Sequence, residues 1–216
     1  SINLMKKELK ALKAWNPRLL TWNDEQQLDE KETEKTEETE EGKETVEEIR
    51  KSGGDAIFIK ADVSKAEDVK MMIDETVKTY GKLDILVNNA GILGTLKEIT
   101  EYPEDIYDRL MAVNLKGVFL GMKYAIPYML KNGKGSIINM ASISGIVGTP
   151  RMGPYCATKA GIILLTKAVV LELARKGIRV NVIFPGTIET AMVEQAAKEA
   201  LNYYLEPSLK CNQWEE

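Results

Sequence analysis

Residues 139–161 read NMASISGIVGTPRMGPYCATKAG, and this stretch determines how the rest of the chain is interpreted. It contains a Tyr-x-x-x-Lys pair, Tyr155 and Lys159, and Ser142 precedes the tyrosine by thirteen residues. The apolar segment before Ser142 predicts a buried strand, and the segment that begins at Tyr155 predicts a helix. Residues four apart lie on one face of a helix, so Tyr155 and Lys159 should point the same way. A serine at a strand end that faces a tyrosine and a lysine suits proton transfer.

Apolar runs alternate with amphipathic helices on both sides of this stretch. The predicted strands are residues 56–63, 83–88, 135–141 and 178–184. The predicted helices are residues 42–54, 65–80, 105–131, 155–176 and 191–205. Ser64 is expected to cap the second helix, and Pro127 to kink the third. This alternation predicts an α/β fold with a parallel sheet covered on both faces.

Polar residues cluster where the predicted strands end. Ligands of parallel α/β sheets bind outside the carboxyl ends of the strands. The segments that follow four of these ends contain Asp62, Asn88-Asn89-Ala90-Gly91, Ser142 and residues 185–188. They should therefore meet at one edge of the sheet.

Composition narrows the possible chemistry. The chain has 216 residues, 44% of them apolar, which suits one soluble domain, and it contains no histidine. The lack of histidine excludes Ser-His-Asp and Cys-His catalysis, and two cysteines are too few for a zinc site, so no metal is expected. No apolar run is long enough to cross a membrane and no signal-peptide pattern is present. Cys156 and Cys211 form no disulfide framework, so a cytoplasmic location is expected.

Charge is distributed unevenly along the chain. The net charge is −4, yet residues 24–48 contain thirteen acids and three lysines, which leaves the remainder with +6. Residues 24–41 are low in complexity and are either helical through acid–lysine pairs or unstructured. We therefore expect an atypical charged segment at 1–41, a core at 42–205 and a tail at 206–216. No basic patch with interleaved aromatic residues is present, so nucleic-acid binding is not expected.

Each candidate residue has a chemical reading and a plain structural one. The pKa of a free phenol is about 10, and a nearby Lys159 cation would favour the phenolate of Tyr155. Ser142 could hold a substrate oxygen, and Asn114 could order a water or bend its helix. Alone, the Tyr–Lys pair is a common helix-surface pair, Ser142 a turn residue, and residues 88–91 a turn after a strand. The ordered combination is far more specific than any one of them.

That ordered combination resembles the short-chain dehydrogenase/reductase family over about residues 42–193. Asp62-Val63 is similar to the family's adenine-contacting position, and Asn88-Asn89-Ala90-Gly91 to its NNAG motif. The family's catalytic tetrad matches Asn114, Ser142, Tyr155 and Lys159. Its PG loop beside the nicotinamide matches Pro185, Gly186, Thr187, Ile188 and Thr190.

The resemblance implies a function and a role for each residue. It implies a three-layer, Rossmann-like doubly wound sheet, NAD or NADP as cofactor, and hydride transfer to or from a secondary alcohol or ketone. Tyr155 would be the acid/base, and Lys159 would lower its pKa and hold the nicotinamide ribose. Ser142 would position the substrate oxygen, and Asn114 a relay water. The family also implies a homo-oligomer, dimer or tetramer, built on the helices at 105–131 and 155–176.

The loops around the motif give a hint about the substrate. Their apolar side chains would make the pocket suit a modest hydrophobic or alicyclic alcohol; they are Leu93, Ile146, Val147, Met152 and Met192.

Both ends of the sequence differ from the family pattern. The first glycine is Gly42, so no Gly-rich phosphate turn precedes it, and the sheet is expected to lack the family's first two strands and its last. The residue that selects NAD or NADP belongs to the second of these strands. Three explanations remain: the terminal sequence differs from the real polypeptide, the chain is a degenerate relative, or a partner completes the site. The alternative function is a non-catalytic binding or scaffold protein.

Overall fold

The computed structural model describes the backbone of residues 19–21, 34–188 and 197, and side chains from residue 40 onward. The strands are β1 (Leu19–Thr21), β2 (Ile85–Asn88), β3 (Gly135–Met140) and β4 (Ile178–Ile183). The helices are α1 (Glu34–Lys51), α2 (Ala66–Tyr80), α3 (Glu104–Leu110), α4 (Gly117–Lys131) and α5 (Gly153–Leu173). A π-helical turn, Met111–Lys116, joins α3 to α4, and short 3-10 turns occur at Ile99–Glu101 and Ile143–Gly145.

The four strands form one parallel sheet in the order β1-β2-β3-β4. Leu86 pairs with Ile137, which pairs with Val180, so the centres of three strands align. Ile137 is fully buried, and Leu86 and Val180 are nearly so, in the main apolar core. Helices α2 and α4 pack together, while α4 and α5 pack on the strands. The predicted α/β fold with a parallel sheet is confirmed.

A strand near the amino terminus was not expected. Leu19–Thr21 lies beside β2, in parallel register with Ile85–Val87. Three residues are too short to show a period of two, so the apolar pattern carried no signal. Among the described residues, this short strand is the one strand that precedes residue 42. The helix α1 runs across residue 41, and the division into 1–41, 42–205 and 206–216 stays a prediction.

The prediction of a strand at residues 56–63 is wrong. Its backbone belongs to none of the strand pairs among the described residues, although Ala61 and Val63 are buried in the core. A strand requires a neighbour for its backbone N–H and C=O groups, and apolar content alone does not supply one. The segment therefore packs through its side chains.

The start of α2 also differs from the prediction. Lys65, not Ser64, is the N-cap residue, and its side chain makes no capping bond. The Ser64 hydroxyl instead donates to Asp62 at 2.7 Å, and the Asp62 N–H donates to the Asp68 carboxylate at 2.9 Å. These bonds fix the turn that presents Asp62.

The long helix predicted at 105–131 is divided into two α-helices, α3 and α4. Pro127 lies inside α4, which continues to Lys131. The departure from α-helical geometry is the π-helical turn that contains Asn114. Such turns insert one extra residue and are frequent at functional sites. The predicted helix at 191–205 lies outside the described residues, apart from residue 197. None of the described helices is long and apolar enough to cross a membrane.

Candidate active site

Ser142 and Tyr155 meet at the carboxyl end of β3. Ser142 follows that strand and caps the 3-10 turn, accepting a hydrogen bond from the Ser144 N–H at 3.2 Å. Tyr155 lies in the first turn of α5, whose start is favoured by Pro154. Burial raises the pKa of the Tyr155 phenol, and the nearby Ser142 hydroxyl acts in the opposite direction.

Lys159 is buried one helical turn beyond Tyr155. Its side chain is 5% exposed, and its Nζ donates to the Met140 carbonyl at 3.1 Å. Burial lowers the pKa of Lys159 from 10.5 to about 8. Gly145 allows this close packing, because a Cβ there would lie 2.7 Å from the Lys159 carbonyl carbon.

The predicted electrostatic relation between the two residues is only partly present. The Lys159 Nζ lies 5.5 Å from the centroid of the Tyr155 ring. The pKa of Tyr155 is raised by burial rather than lowered by this lysine. The phenol is therefore held protonated, and formation of the phenolate requires additional positive charge near its oxygen.

The buried lysine makes stability depend on pH with a definite sign. Its folded pKa of about 8 lies below the 10.5 of the free group, so the unfolded chain binds more protons in this window. The free energy of unfolding should therefore rise by about 2 kcal/mol between about pH 7 and about pH 9.5. A Lys159→Met variant should lack this rise. Urea unfolding of both proteins across the range measures it, and equal slopes would show that the amine is hydrated.

Asn114 uses its whole amide group to hold one backbone segment. Its Oδ1 accepts the Ile92 N–H at 2.8 Å, and its Nδ2 donates to the Ile92 carbonyl at 2.8 Å. The Nδ2 also donates to the Thr158 hydroxyl at 3.3 Å, and that hydroxyl donates to the Tyr155 carbonyl at 2.8 Å. Asn114 and Thr158 are fully buried. The predicted relay water stays a prediction; the side chain itself connects the segment after β2 to α5.

The segment after β2 passes directly beside the lysine. A Cβ at Gly91 would lie 3.5 Å from both the Lys159 Nζ and the Asn114 Oδ1. Gly91 is buried, and its lack of a side chain leaves only backbone atoms next to the amine. The preceding Asn89 and Ala90 lie on the same segment, which leaves the carboxyl end of β2.

The Asp62 carboxylate forms an ion pair with Arg109, a partner that was not predicted from the sequence. Arg109 on α3 forms a 3.2 Å ion pair with the Asp62 carboxylate and donates to the Ser64 hydroxyl at 2.9 Å. The pKa of Asp62 is lowered: burial acts in the opposite direction, but the Ser64 and Arg109 bonds outweigh it. Val63, beside Asp62, packs against Gly117, where a Cβ would lie 3.1 Å from it.

The predicted PG loop reaches the same edge of the sheet. The Pro185 carbonyl accepts a hydrogen bond from the Ile143 N–H at 3.0 Å, which joins the loop to the turn after Ser142. Gly186, Thr187 and Ile188 follow it and are exposed. Thr190 lies outside the described residues.

A second network of side-chain hydrogen bonds joins β2, β3 and α5. Asn88 donates to the Asn139 Oδ1 at 2.7 Å, and Asn139 donates to the Thr166 hydroxyl at 2.9 Å. Sequence reasoning missed Thr158, Asn139 and Thr166. A polar residue in an apolar strand or helix was the available signal, because buried polar groups need partners.

Comparison with known proteins identifies the family to which the chain belongs. Residues 33–201 match the family described as short chain dehydrogenase. The chain is 45% identical over 154 residues to the 3-oxoacyl-[acyl-carrier-protein] reductase of Staphylococcus aureus, covering 71% of this chain and 62% of that protein. It is 40% identical over 171 residues to the cyclohexanol dehydrogenase of an Acinetobacter species, covering 79% of this chain and 68% of that protein.

A solved structure shows the same fold. The structure of NAD+-bound xylitol dehydrogenase superimposes with a TM-score of 0.71 and 33% identity, over 74% of this chain and 61% of that one. The chain thus spans about 62% of the length of the Staphylococcus aureus reductase. With a family match over residues 33–201 and a Rossmann-type parallel sheet, the chain belongs to the short-chain dehydrogenase family.

Proposed function

We propose that the protein is an NAD(P)-dependent oxidoreductase that transfers hydride between a nicotinamide cofactor and a secondary alcohol or ketone. The observation that carries the proposal is the placement of Ser142 after β3, next to Tyr155 and the buried Lys159 on α5. The names of the relatives, an oxoacyl reductase and a cyclohexanol dehydrogenase, support this reaction type.

Tyr155 acts as the acid in reduction and the base in oxidation. The raised pKa of the phenol keeps its proton in place at neutral pH. During reduction this proton moves from Tyr155 Oη to the oxygen of the ketone as the carbonyl carbon accepts hydride. Ser142 donates a hydrogen bond to the same oxygen and orients it. The reverse movement of the proton accompanies oxidation.

The residues at the sheet edge fit a nicotinamide dinucleotide. When bound, this cofactor supplies or accepts the hydride. The Lys159 amine, which lies beside Gly91, can donate to a ribose hydroxyl. The carboxylate of Asp62 is fixed by Arg109 for contact with adenine. Cofactor contacts are assigned to Asp62, Val63, Asn89, Ala90, Gly91, Tyr155, Lys159, Pro185, Gly186, Thr187, Ile188 and Thr190.

Apolar side chains at two places indicate the substrate class and the surface through which the protein assembles. Leu93 is buried at the site, and Ile146 and Val147 expose apolar side chains on the neighbouring loop, which suits a small apolar alcohol or ketone. Phe119 on α4 and Leu164 and Leu171 on α5 are exposed apolar residues that a second copy would cover, in a homo-oligomer located in the cytoplasm.

Titration with NADH and NADPH, followed by nicotinamide fluorescence, tests cofactor binding. We expect saturable binding of at least one cofactor, weakened about tenfold or more in Gly91→Val, where an added side chain enters contact distance of the lysine amine. Gly148→Val is the matched control, because a Cβ at Gly148 meets nothing within 4 Å. No binding of either cofactor at millimolar concentration would favour a non-catalytic scaffold instead.

A further inference from the structure

Two loops that flank Tyr155 are joined by one residue, Arg151. Its guanidinium Nη2 donates to the Leu96 carbonyl at 2.8 Å, although the two residues are 55 positions apart. The Lys97 N–H donates to the Arg151 carbonyl at 3.2 Å. The arginine thus contacts the Leu96-Lys97 segment through both its side chain and its backbone. These two bonds are called the Arg151 tie below.

The backbone at Arg151 adopts a conformation that costs energy. Its φ is +64°, in the left-handed region that favours glycine. Among the described residues other than glycine, Arg175 alone shares a positive φ. A non-glycine residue persists in this region when surrounding contacts hold it there. The bonds to Leu96 and Lys97 are such contacts.

The two segments joined by the tie lead to two different residues of the site, Asn114 and Tyr155. The first begins at Ile92, which Asn114 fixes through two hydrogen bonds, and continues to Thr95, whose N–H donates to the Tyr102 hydroxyl at 3.4 Å. The second continues from Arg151 into α5, where the Met152 carbonyl accepts the Cys156 N–H at 2.9 Å. Tyr155 lies between these last two residues. The tie therefore sets the distance between residues 92–97 and the turn that carries the phenol.

We propose that Arg151 is a positioning residue that holds residues 92–97 and 146–152 together beside Tyr155, and so fixes the wall against which a ketone binds. This rests on the proposed function. Arg151 acts through the Leu96-Lys97 backbone and does not touch the reacting atoms. Its loss should let the two loops separate, which weakens substrate binding more than it slows proton transfer.

Arg151→Gly is the most informative variant. Glycine accepts the left-handed backbone, so the substitution removes the guanidinium without adding strain. Arg175→Gly is the matched control: it removes an arginine at φ +67°, beyond the far end of α5 from Tyr155. Arg151→Lys keeps the positive charge but not the planar fork, and should restore the tie only in part.

Two readouts test the proposal. In hydrogen-exchange mass spectrometry, Arg151→Gly should raise exchange in residues 92–97 and 146–152 together, with no change in β2 or β3. With cyclopentanone, cyclohexanone and cyclooctanone as probes, its KM should rise about tenfold, the effect of one charge-assisted hydrogen bond, with kcat within about threefold. Arg175→Gly should change neither readout.

Unchanged exchange in residues 92–97, or a loss confined to kcat, would overturn the proposal. If the wild-type protein turns over no ketone, the proposed function fails, and the exchange measurement alone then decides whether Arg151 joins the two loops.

Discussion

Tyr155→Phe should lower the turnover of any ketone substrate by about a thousandfold, within the range for loss of a positioned general acid. The substitution removes one oxygen and leaves the ring that packs against the Lys159 side chain. Cofactor affinity and the unfolding midpoint should therefore stay close to those of the wild-type protein. Steady-state rates, cofactor titration and urea unfolding of the same preparation separate these effects.

Tyr80→Phe is the matched control for this experiment. The Tyr80 hydroxyl is buried at the end of α2 and lacks a hydrogen-bond partner among the described residues. Its removal should leave turnover unchanged and stability equal or slightly higher. If Tyr155→Phe and Tyr80→Phe were equally active, Tyr155 would not be the acid/base.

Asn114→Ala should destabilise the protein by about 3 kcal/mol, because it leaves both polar groups of Ile92 buried without their partner. The Ile92 N–H and carbonyl each bond this one amide at 2.8 Å. The segment that contains Gly91 should then loosen beside Lys159, so cofactor affinity should fall together with stability. Urea unfolding and nicotinamide fluorescence measure the two losses.

Asn139→Ala separates a local effect from a general loss of buried hydrogen bonds. It also removes a buried amide, but one that bonds Asn88 and Thr166. Both variants should be less stable, yet the Ile92 amide should gain fast hydrogen exchange in Asn114→Ala alone. Equal exchange at Ile92 in the two variants would show that Asn114 is not what holds the segment.

The sequence predicted those parts of the molecule that depend on local pattern. The four-residue spacing of Tyr155 and Lys159 placed both on α5, and the apolar runs located β2, β3 and β4 to within three residues at either end. The convergence of Ser142 and the segment after β2 at one edge follows from parallel strands, whose carboxyl ends share a side.

What the sequence did not predict depends on contacts between distant residues. The π-helical turn at Asn114 arises where its amide reaches Ile92, which no periodicity shows. The segment 56–63 has the composition of a strand but no hydrogen-bonded neighbour among the described residues, and the short strand Leu19–Thr21 exists because β2 is beside it. In both segments, the presence or absence of a hydrogen-bonded neighbour determined whether a strand formed, and β propensity did not.

The pKa values and ion-pair partners of the site residues were the properties least predictable from the sequence. The spacing suggested a lysine cation that lowers the pKa of Tyr155, but burial acts on both groups. It lowers the pKa of Lys159 to about 8 and raises that of Tyr155. Arg109 and Arg151 could not be distinguished in the sequence from other surface arginines, because their partners lie 47 and 55 residues away.

Deuterium transfer tests the central claim most directly. The protein is incubated with cyclohexanone and NADH or NADPH that carries two deuterium atoms at nicotinamide C4, and the alcohol is analysed by mass spectrometry. We predict that the wild-type protein produces cyclohexanol with deuterium on the carbinol carbon and that Tyr155→Phe produces almost none. Saturable cofactor binding without label in the alcohol formed from any ketone of a panel, or equal labelling by both proteins, would contradict the account.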